Sequence, residues 1–258
     1  MFISSQDLKK IYQDDSVLIL DARSYKDYSK GHIPGSVSLD LFSFHWADTS
    51  QKGLVSFGEH MRKILSYAGI DENKKIIFYD HSSGMLAARG VWMCLYFSHP
   101  DVQMLDGGLS KWTKENLPTQ TESTIYKPTN LTTPINPSII IGFEELNENI
   151  GKVTIIDARS PDEFDGTIPR AARGGHIPTA KNIDWNNNLD DSGKLKSDSE
   201  LESLYTMDKE YPIVTYCQGA YRAANSYLSL KKIGFKNVKV YLGSWGEWGN
   251  NLKLPIEK

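Results

Sequence analysis

The chain is one unit written twice, and that repeat limits its fold more than any other feature. Strand-like apolar runs at 17–20 and 153–156 end in the same triplet, Asp21-Ala22-Arg23 and Asp157-Ala158-Arg159. Each triplet is followed by a Gly-His-Ile-Pro turn, containing His32 and His176, and then by a second apolar run at 76–79 and 213–216. A helical stretch comes next, then a third run at 102–105 and 238–241, and then a segment carrying Trp112 or Trp248. Asp21 and Asp157 lie 136 positions apart, and so do Trp112 and Trp248. Two matches at one offset with the same intervening order mark an internal duplication. Strands alternating with helical patterns over about 120 residues predict an α/β fold, a doubly wound, mainly parallel sheet flanked by helices in each copy. The expected boundaries are 1–120 and 138–258. The stretch 121–137, rich in Thr, Pro and Asn, reads as a linker crossing the surface. Two similar domains joined in this way commonly form a cleft suited to a small ligand.

Composition narrows the function by exclusion. The 258 residues are 40% hydrophobic and 24% charged, as in a globular protein with a good core. A net charge of −3 and a pI near 6.1 give no general basic field for nucleic acid. No apolar run reaches about 18 residues, so no membrane span is expected. The N-terminus has neither an apolar core nor a small-residue cleavage site, so no secretory signal is read there. Cys94 and Cys217 are too few for a disulfide framework, and no ligand spacing around them suggests a metal or cofactor. A reducing cytoplasm is the expected setting.

Chemistry concentrates at Cys217. It ends the β-rich run 213–216, and five residues follow: Gln218, Gly219, Ala220, Tyr221 and Arg222. A helical pattern then sets in, with Ala224, Tyr227, Leu228 and Lys231 on one face and Gly234 placed to stop it. A cysteine in a tight strand-to-helix loop meets inward-pointing amides and the positive end of the helix dipole. Arg222 adds a full charge. A free thiol is only about 3% ionised at neutral pH, and a cradle lowering its pKa by about two units would leave roughly three quarters as thiolate. The competing reading is a small buried core residue. In the first copy Asp80 stands where Cys217 stands, and the loop before the Ala-Ala pair is one residue longer. Asp80 can form neither persulfide nor thioester, so the first copy is expected to be catalytically silent scaffold.

The paired DAR…GHIP segments, the strand-Cys-loop-Arg-helix and the closing GSWGEWG together resemble the tandem-domain rhodanese family of sulfurtransferases, over nearly the whole chain. The resemblance implies two rhodanese-like domains, the first silent and the second catalytic. It implies ping-pong chemistry in which Cys217 takes the outer sulfur of a small anionic donor as a persulfide and hands it to cyanide, a small thiol or a protein thiol. The loop residues Gln218, Gly219, Ala220 and Tyr221 and the charged Arg222 would bind the donor and the leaving anion. Thiosulfate is the expected donor. The alternative, 3-mercaptopyruvate, is usually served by a Cys-Gly-x-Gly-Val-Thr type loop and by arginines after the second DxR strand, where this chain carries Asp162-Glu163-Phe164. A cysteine-dependent phosphatase or arsenate reductase is more distant. The phosphatase signature is Cys-x5-Arg, whereas Cys217 to Arg222 is Cys-x4-Arg, a smaller ring suited to one extra sulfur.

Other residues carry lesser expectations. Arg159 could reach the donor, but Arg23 holds the same place in the silent copy, which favours pairing with a carboxylate or a loop carbonyl. Recurrence also favours turn roles for His32 and His176 and packing roles for both tryptophans. Ser244-x-x-Glu247 reads as a capping box. The second copy has eight extra residues before His176, among them Arg170 and Arg173, which either border the cleft or form a solvated loop. Phe44-His45-Trp46 is an unexplained aromatic cluster that could wall a cleft. Cys94, inside an apolar helical stretch, reads as inert core.

Overall fold

The computed structural model describes residues 1–258. The chain separates into two compact units. The first comprises 1–44, 58–136 and 189–195; the second comprises 45–57, 137–188 and 196–258. Each half of the chain therefore sends one segment into the unit built by the other half.

The strands of the first unit are β1 (Phe2–Ile3), β2 (Val17–Asp21), β3 (Val37–Ser38), β4 (Lys75–Tyr79) and β5 (Val102–Leu105). They pair in parallel in the order β1-β5-β4-β2-β3. The helices are α1 (Ser5–Ile11), α2 (Tyr25–Tyr28), α3 (Gln51–Tyr67, whose first turns fall in the second unit), α4 (Met85–Tyr96) and α5 (Gly108–Lys114). β2 is buried along its whole length and β4 at all but its first residue, as expected of central parallel strands covered on both faces. That is why Val-Leu-Ile-Leu and Ile-Ile-Phe-Tyr read as continuous apolar runs.

The second unit repeats the plan. Its strands are β6 (Ile140–Ile141), β7 (Thr154–Asp157), β8 (Lys181–Asn182), β9 (Ile213–Tyr216) and β10 (Val238–Tyr241), all parallel in the order β6-β10-β9-β7-β8. Its helices are α6 (Phe143–Glu148), α7 (Pro161–Phe164), α8 (Asp198–Leu204), α9 (Tyr221–Lys232) and α10 (Ser244–Trp248). From β7 the chain steps outward to β8, and from β9 it steps the other way to β10. The crevice between the carboxyl ends of β7 and β9 is thus a topological switch point, where open α/β sheets bind ligands.

The duplication extends to single bonds. Arg23 bonds Asp21 and the Gly31 carbonyl as Arg159 bonds Asp157 and the Gly175 carbonyl, at 2.6 and 2.8 Å in both copies. Trp112 and Trp248 each donate their indole N–H to a proline carbonyl at 2.7 Å, Pro118 and Pro255. His32 stacks on Tyr28 and His176 on Phe164, both with centroids 3.7 Å apart. The stretch expected as a linker, 121–137, falls in the first unit as far as residue 136 and is fastened to it. Thr129 and Leu131 donate their amides to Ser66, and Arg62 holds the carbonyls of Leu131 and Thr133. No helix is long and apolar enough to cross a membrane.

Candidate active site

β9 delivers Cys217 to the switch point. The strand is buried at every residue, and Thr215 ties it to the next helix by donating its hydroxyl to the Ala223 carbonyl (3.0 Å). The turn from strand to helix is tight because Ala220, at the N-cap of α9, takes a left-handed backbone with φ 67°. That conformation is uncommon for a residue with a Cβ. α9 presents Ala224, Tyr227 and Leu228 to the core, and Gly234 (φ 90°) follows its end, as the periodicity predicts. Cys217 is a free cysteine at the floor of this loop, with 1% of its surface exposed.

The loop amides divide into two sets, which the sequence does not foretell. Those of Cys217 and Ala220 point downward and donate to the Ser244 hydroxyl, at 3.2 and 3.1 Å. Ser244 in turn donates to the Tyr241 carbonyl (2.9 Å). The Cys217 and Gln218 carbonyls accept from the amides of Trp245 and Gly246, both at 2.9 Å, so α10 clasps the loop from below. The amides of Gln218 and Gly219, with those of Arg222 and Ala223 in the first turn of α9, remain as donors for a bound group.

The first unit shows such a loop filled. There the Asp80 carboxylate accepts four amides: Ser82 (3.0 Å) and Gly84 (3.2 Å) on one oxygen, Leu86 and Ala87 (both 3.0 Å) on the other. Leu86 and Ala87 correspond, 136 positions earlier, to Arg222 and Ala223. Burial pushes the Asp80 carboxyl up, and the four N–H bonds oppose that shift. A carboxyl group so surrounded sits in an amide cradle.

Arg222 is not a loose cation. Its Nη1 and Nη2 donate to Glu163 at 2.5 and 3.0 Å, with both side chains largely buried. Burial alone would lower the guanidinium, but the bond and attraction to Glu163 and the attraction of the Cys217 side chain raise it. Burial alone would likewise raise Glu163. The Arg222 bond and charge, the Ser160 amide and Arg170 together bring it down to about 2. Arg170, from the eight-residue insertion, lies 3.5 Å from the same carboxylate and is half exposed. Gln218 donates its side-chain amide to the Arg170 carbonyl (3.0 Å). The insertion therefore borders the loop.

Arg159 pairs with a carboxylate and a loop carbonyl, the role that recurrence at Arg23 favours over a donor contact, and it is wholly buried. It braces Asp157 and Gly175 and lies over the rings of Tyr216 and Trp245, as far from an open surface as its twin Arg23. Ser244-x-x-Glu247 is no capping box: α10 has no side-chain cap. Glu247 instead accepts from the amide and hydroxyl of Thr49 and from the Tyr241 hydroxyl, and burial, its main influence, raises its pKa despite these donors.

The segment 45–57 adds what the sequence left unexplained. The His45 ring stacks on Tyr221 (5.9 Å, 21°) and rests against Gly219, where a Cβ would fall 1.8 Å from His45 Cε1. Only glycine fits under that imidazole.

Comparison with known proteins agrees with the geometry. A profile of the rhodanese-like domain matches residues 4–115 and 143–251. A sulfur carrier protein, TtuD, of Thermus thermophilus is 32% identical over all of this chain and 96% of its own length. A thiosulfate sulfurtransferase of Azotobacter vinelandii is also 32% identical, over all of this chain and 97% of its own. Among solved structures, the 3-mercaptopyruvate sulfurtransferase SseA of Escherichia coli superposes with a TM-score of 0.80 at 26% identity, covering 95% of this chain and 98% of that one.

Proposed function

The chain belongs to the rhodanese-like domain family, and on that premise we propose that it is a sulfurtransferase that moves a sulfane sulfur from thiosulfate to a thiophilic acceptor through a persulfide on Cys217. The observation that carries this reading is the correspondence between Cys217 and Asp80. One copy of the loop folds its amides around a carboxylate, and the other sets a thiol at the same place with the matching amides available.

In the first half-reaction the Cys217 thiolate attacks the outer sulfur of thiosulfate. The new Sγ–S bond forms as the S–S bond of the donor breaks, and sulfite leaves with the bonding pair. The negative charge then sits on the terminal sulfur of Cys–S–S⁻, within reach of the Gln218, Gly219, Arg222 and Ala223 amides. In the second half-reaction the acceptor, cyanide or a thiolate, attacks that terminal sulfur and the Cys217 thiolate is restored. Arg222, held by Glu163 and attracted to the Cys217 side chain, offsets charge at the sulfur, and Arg170, half exposed beside Glu163, offers a cation to the sulfonate end of the donor. The names of the Azotobacter and Thermus relatives, a thiosulfate sulfurtransferase and a sulfur carrier protein, support a role in sulfur transfer. The first unit, with Asp80 in place of the thiol, acts as scaffold.

Intact mass after incubation with thiosulfate tests the reading. The protein is expected to gain one sulfur, mapped to the peptide containing Cys217 and absent from Cys217→Ser. Retained thiosulfate:cyanide activity in Cys217→Ser would end the proposal. The same assay with 3-mercaptopyruvate, the donor named for the Escherichia coli structure, separates the two donors.

A further inference from the structure

We propose that Glu163 is a positioning residue of this site, which locks the Arg222 guanidinium in the orientation that faces Cys217. The inference rests on Cys217 being a reactive thiolate. Glu163 is the third residue of the short helix α7, and a capping box fixes it from its own backbone. Ser160 gives its amide and hydroxyl to Glu163 Oε2, and the Ser160 hydroxyl takes the Glu163 amide. A carboxylate anchored in this way cannot follow a wandering partner; the partner must come to it.

Arg222 comes to it with both Nη atoms, in a two-bond fork. A planar guanidinium held along one edge keeps no free rotation about its own axis. Its attraction for the Cys217 side chain then acts from a fixed direction. Without the fork, the long arginine side chain would spread over several rotamers, and the cation would spend less time at the sulfur. The Glu163 charge itself disfavours a thiolate. That charge is paired with Arg222, however, and it is Arg222, not Glu163, that interacts with Cys217, so the aiming effect outweighs the repulsion. Arg170, 3.5 Å from Glu163 on its exposed side, completes the set of charges around the carboxylate.

The test is a double-mutant cycle read by iodoacetamide alkylation of Cys217 at pH 7, which does not depend on sulfur transfer. The four proteins are the full chain, Glu163→Gln, which keeps the shape of the carboxylate, Arg222→Gln, which removes the cation and shortens the side chain, and the double variant, in which two neutral amides replace the ion pair. Circular dichroism checks that each is folded. Alkylation is expected to slow about fivefold in Glu163→Gln, and to change by less than about twofold, or to quicken, when the same change is made on Arg222→Gln. An equal slowing in both backgrounds, or Glu163→Gln reacting as fast as the parent, overturns the proposal. A purely structural Glu163 would lower stability without this dependence on Arg222. Persulfide formation from thiosulfate, followed by mass in the same four proteins, is expected to track the alkylation rates. Should no variant load sulfur while the alkylation pattern holds, the positioning role stands and the sulfurtransferase reading fails.

Discussion

Ser244 and Gly108 stand 136 positions apart at the same place in the two copies, and both take the left-handed backbone, with φ of 52° and 55°. Only one of them can carry a side chain. A Cβ on Gly108 would meet the Ser82 and Asp80 carbonyl oxygens at 2.5 and 2.6 Å. In the second copy the loop is one residue shorter, and the Ser244 hydroxyl occupies the space, taking the Cys217 and Ala220 amides. Ser244→Ala leaves both amides buried without an acceptor while keeping a Cβ in a left-handed conformation. A loss of about 2–4 kcal/mol in denaturant unfolding is expected. Ser244→Gly is expected to fall between the two, about 1 kcal/mol more stable than Ser244→Ala, because it loses the same bonds but relieves the backbone.

The contact of His45 with Gly219 gives a second expectation. Gly219→Ala drives a methyl into the imidazole, so either the ring leaves Tyr221 or the loop shifts. A displacement of even about 1 Å at such a loop can cost up to a hundredfold in rate. Persulfide formation in Gly219→Ala is expected to slow by at least about tenfold. His45→Ala combined with Gly219→Ala removes the obstacle and is expected to recover most of the rate. Recovery in the double variant, read by stopped intact-mass time courses, separates a steric clash from an intrinsic need for glycine.

How much could be read from the chain depends on how local each cause is. The duplication, the parallel character of each sheet and the stop at Gly234 follow from periodicity and turn residues, so they were legible. The partners of the site residues were not. Glu163 lies 59 positions from Arg222 and Thr49 lies 198 from Glu247, and nothing local marks either pair. Glu247 misled because serine three residues before glutamate has the spacing of a capping box, and the long-range hydrogen bonds to Thr49 and Tyr241 won. The passage of 45–57 and 189–195 into the opposite units is likewise a tertiary event without a sequence period. One signal for Ser244 was present but unused: a serine in the copy that carries the thiol, where the other copy has glycine.

Glu163 also carries a pH signature. Its carboxyl is depressed in the folded protein to about 2, so its stabilising contribution is complete above the unfolded value of about 4.3 and is lost as pH falls through 4 toward 2. Glu163→Gln cannot titrate. It is expected to be less stable than the parent at pH 7 by on the order of 2 kcal/mol, and the gap is expected to narrow steadily below about pH 4.5. Urea unfolding of both proteins at a series of pH values checks this. A gap that stays constant down to pH 3 would show that the Arg222 pair does not hold the charge.

The two cysteines are expected to behave as opposites. Cys94 lies in α4 with no exposed surface, and burial pushes its thiol far up, out of the range where a thiolate forms. Cys217 sits at the floor of an amide loop beside Arg222. Brief treatment of the native protein with iodoacetamide is expected to modify Cys217 alone, and the denatured protein is expected to take two labels. Labelling of Cys94 in the native state would mean that α4 opens on the timescale of the reaction.

Asp80 supplies the last expectation, and it bears on whether the first unit is scaffold. Asp80→Asn keeps the shape of the carboxylate but turns one of its two acceptor oxygens into a donor. Each oxygen of Asp80 now takes two amides, so either orientation of the asparagine sets its NH₂ group against two N–H donors. The loss is expected to be about 2–4 kcal/mol and to fall on the first unit, seen as faster hydrogen exchange in the loop at 82–87 and in α4. Under conditions where the variant remains folded, iodoacetamide labelling and sulfur loading of Cys217 are expected to stay within about twofold of the parent, because the amides that serve Cys217 belong to the second unit. A large fall in sulfur loading without unfolding would make Asp80 a working part of the reaction, and the first unit could no longer be described as scaffold.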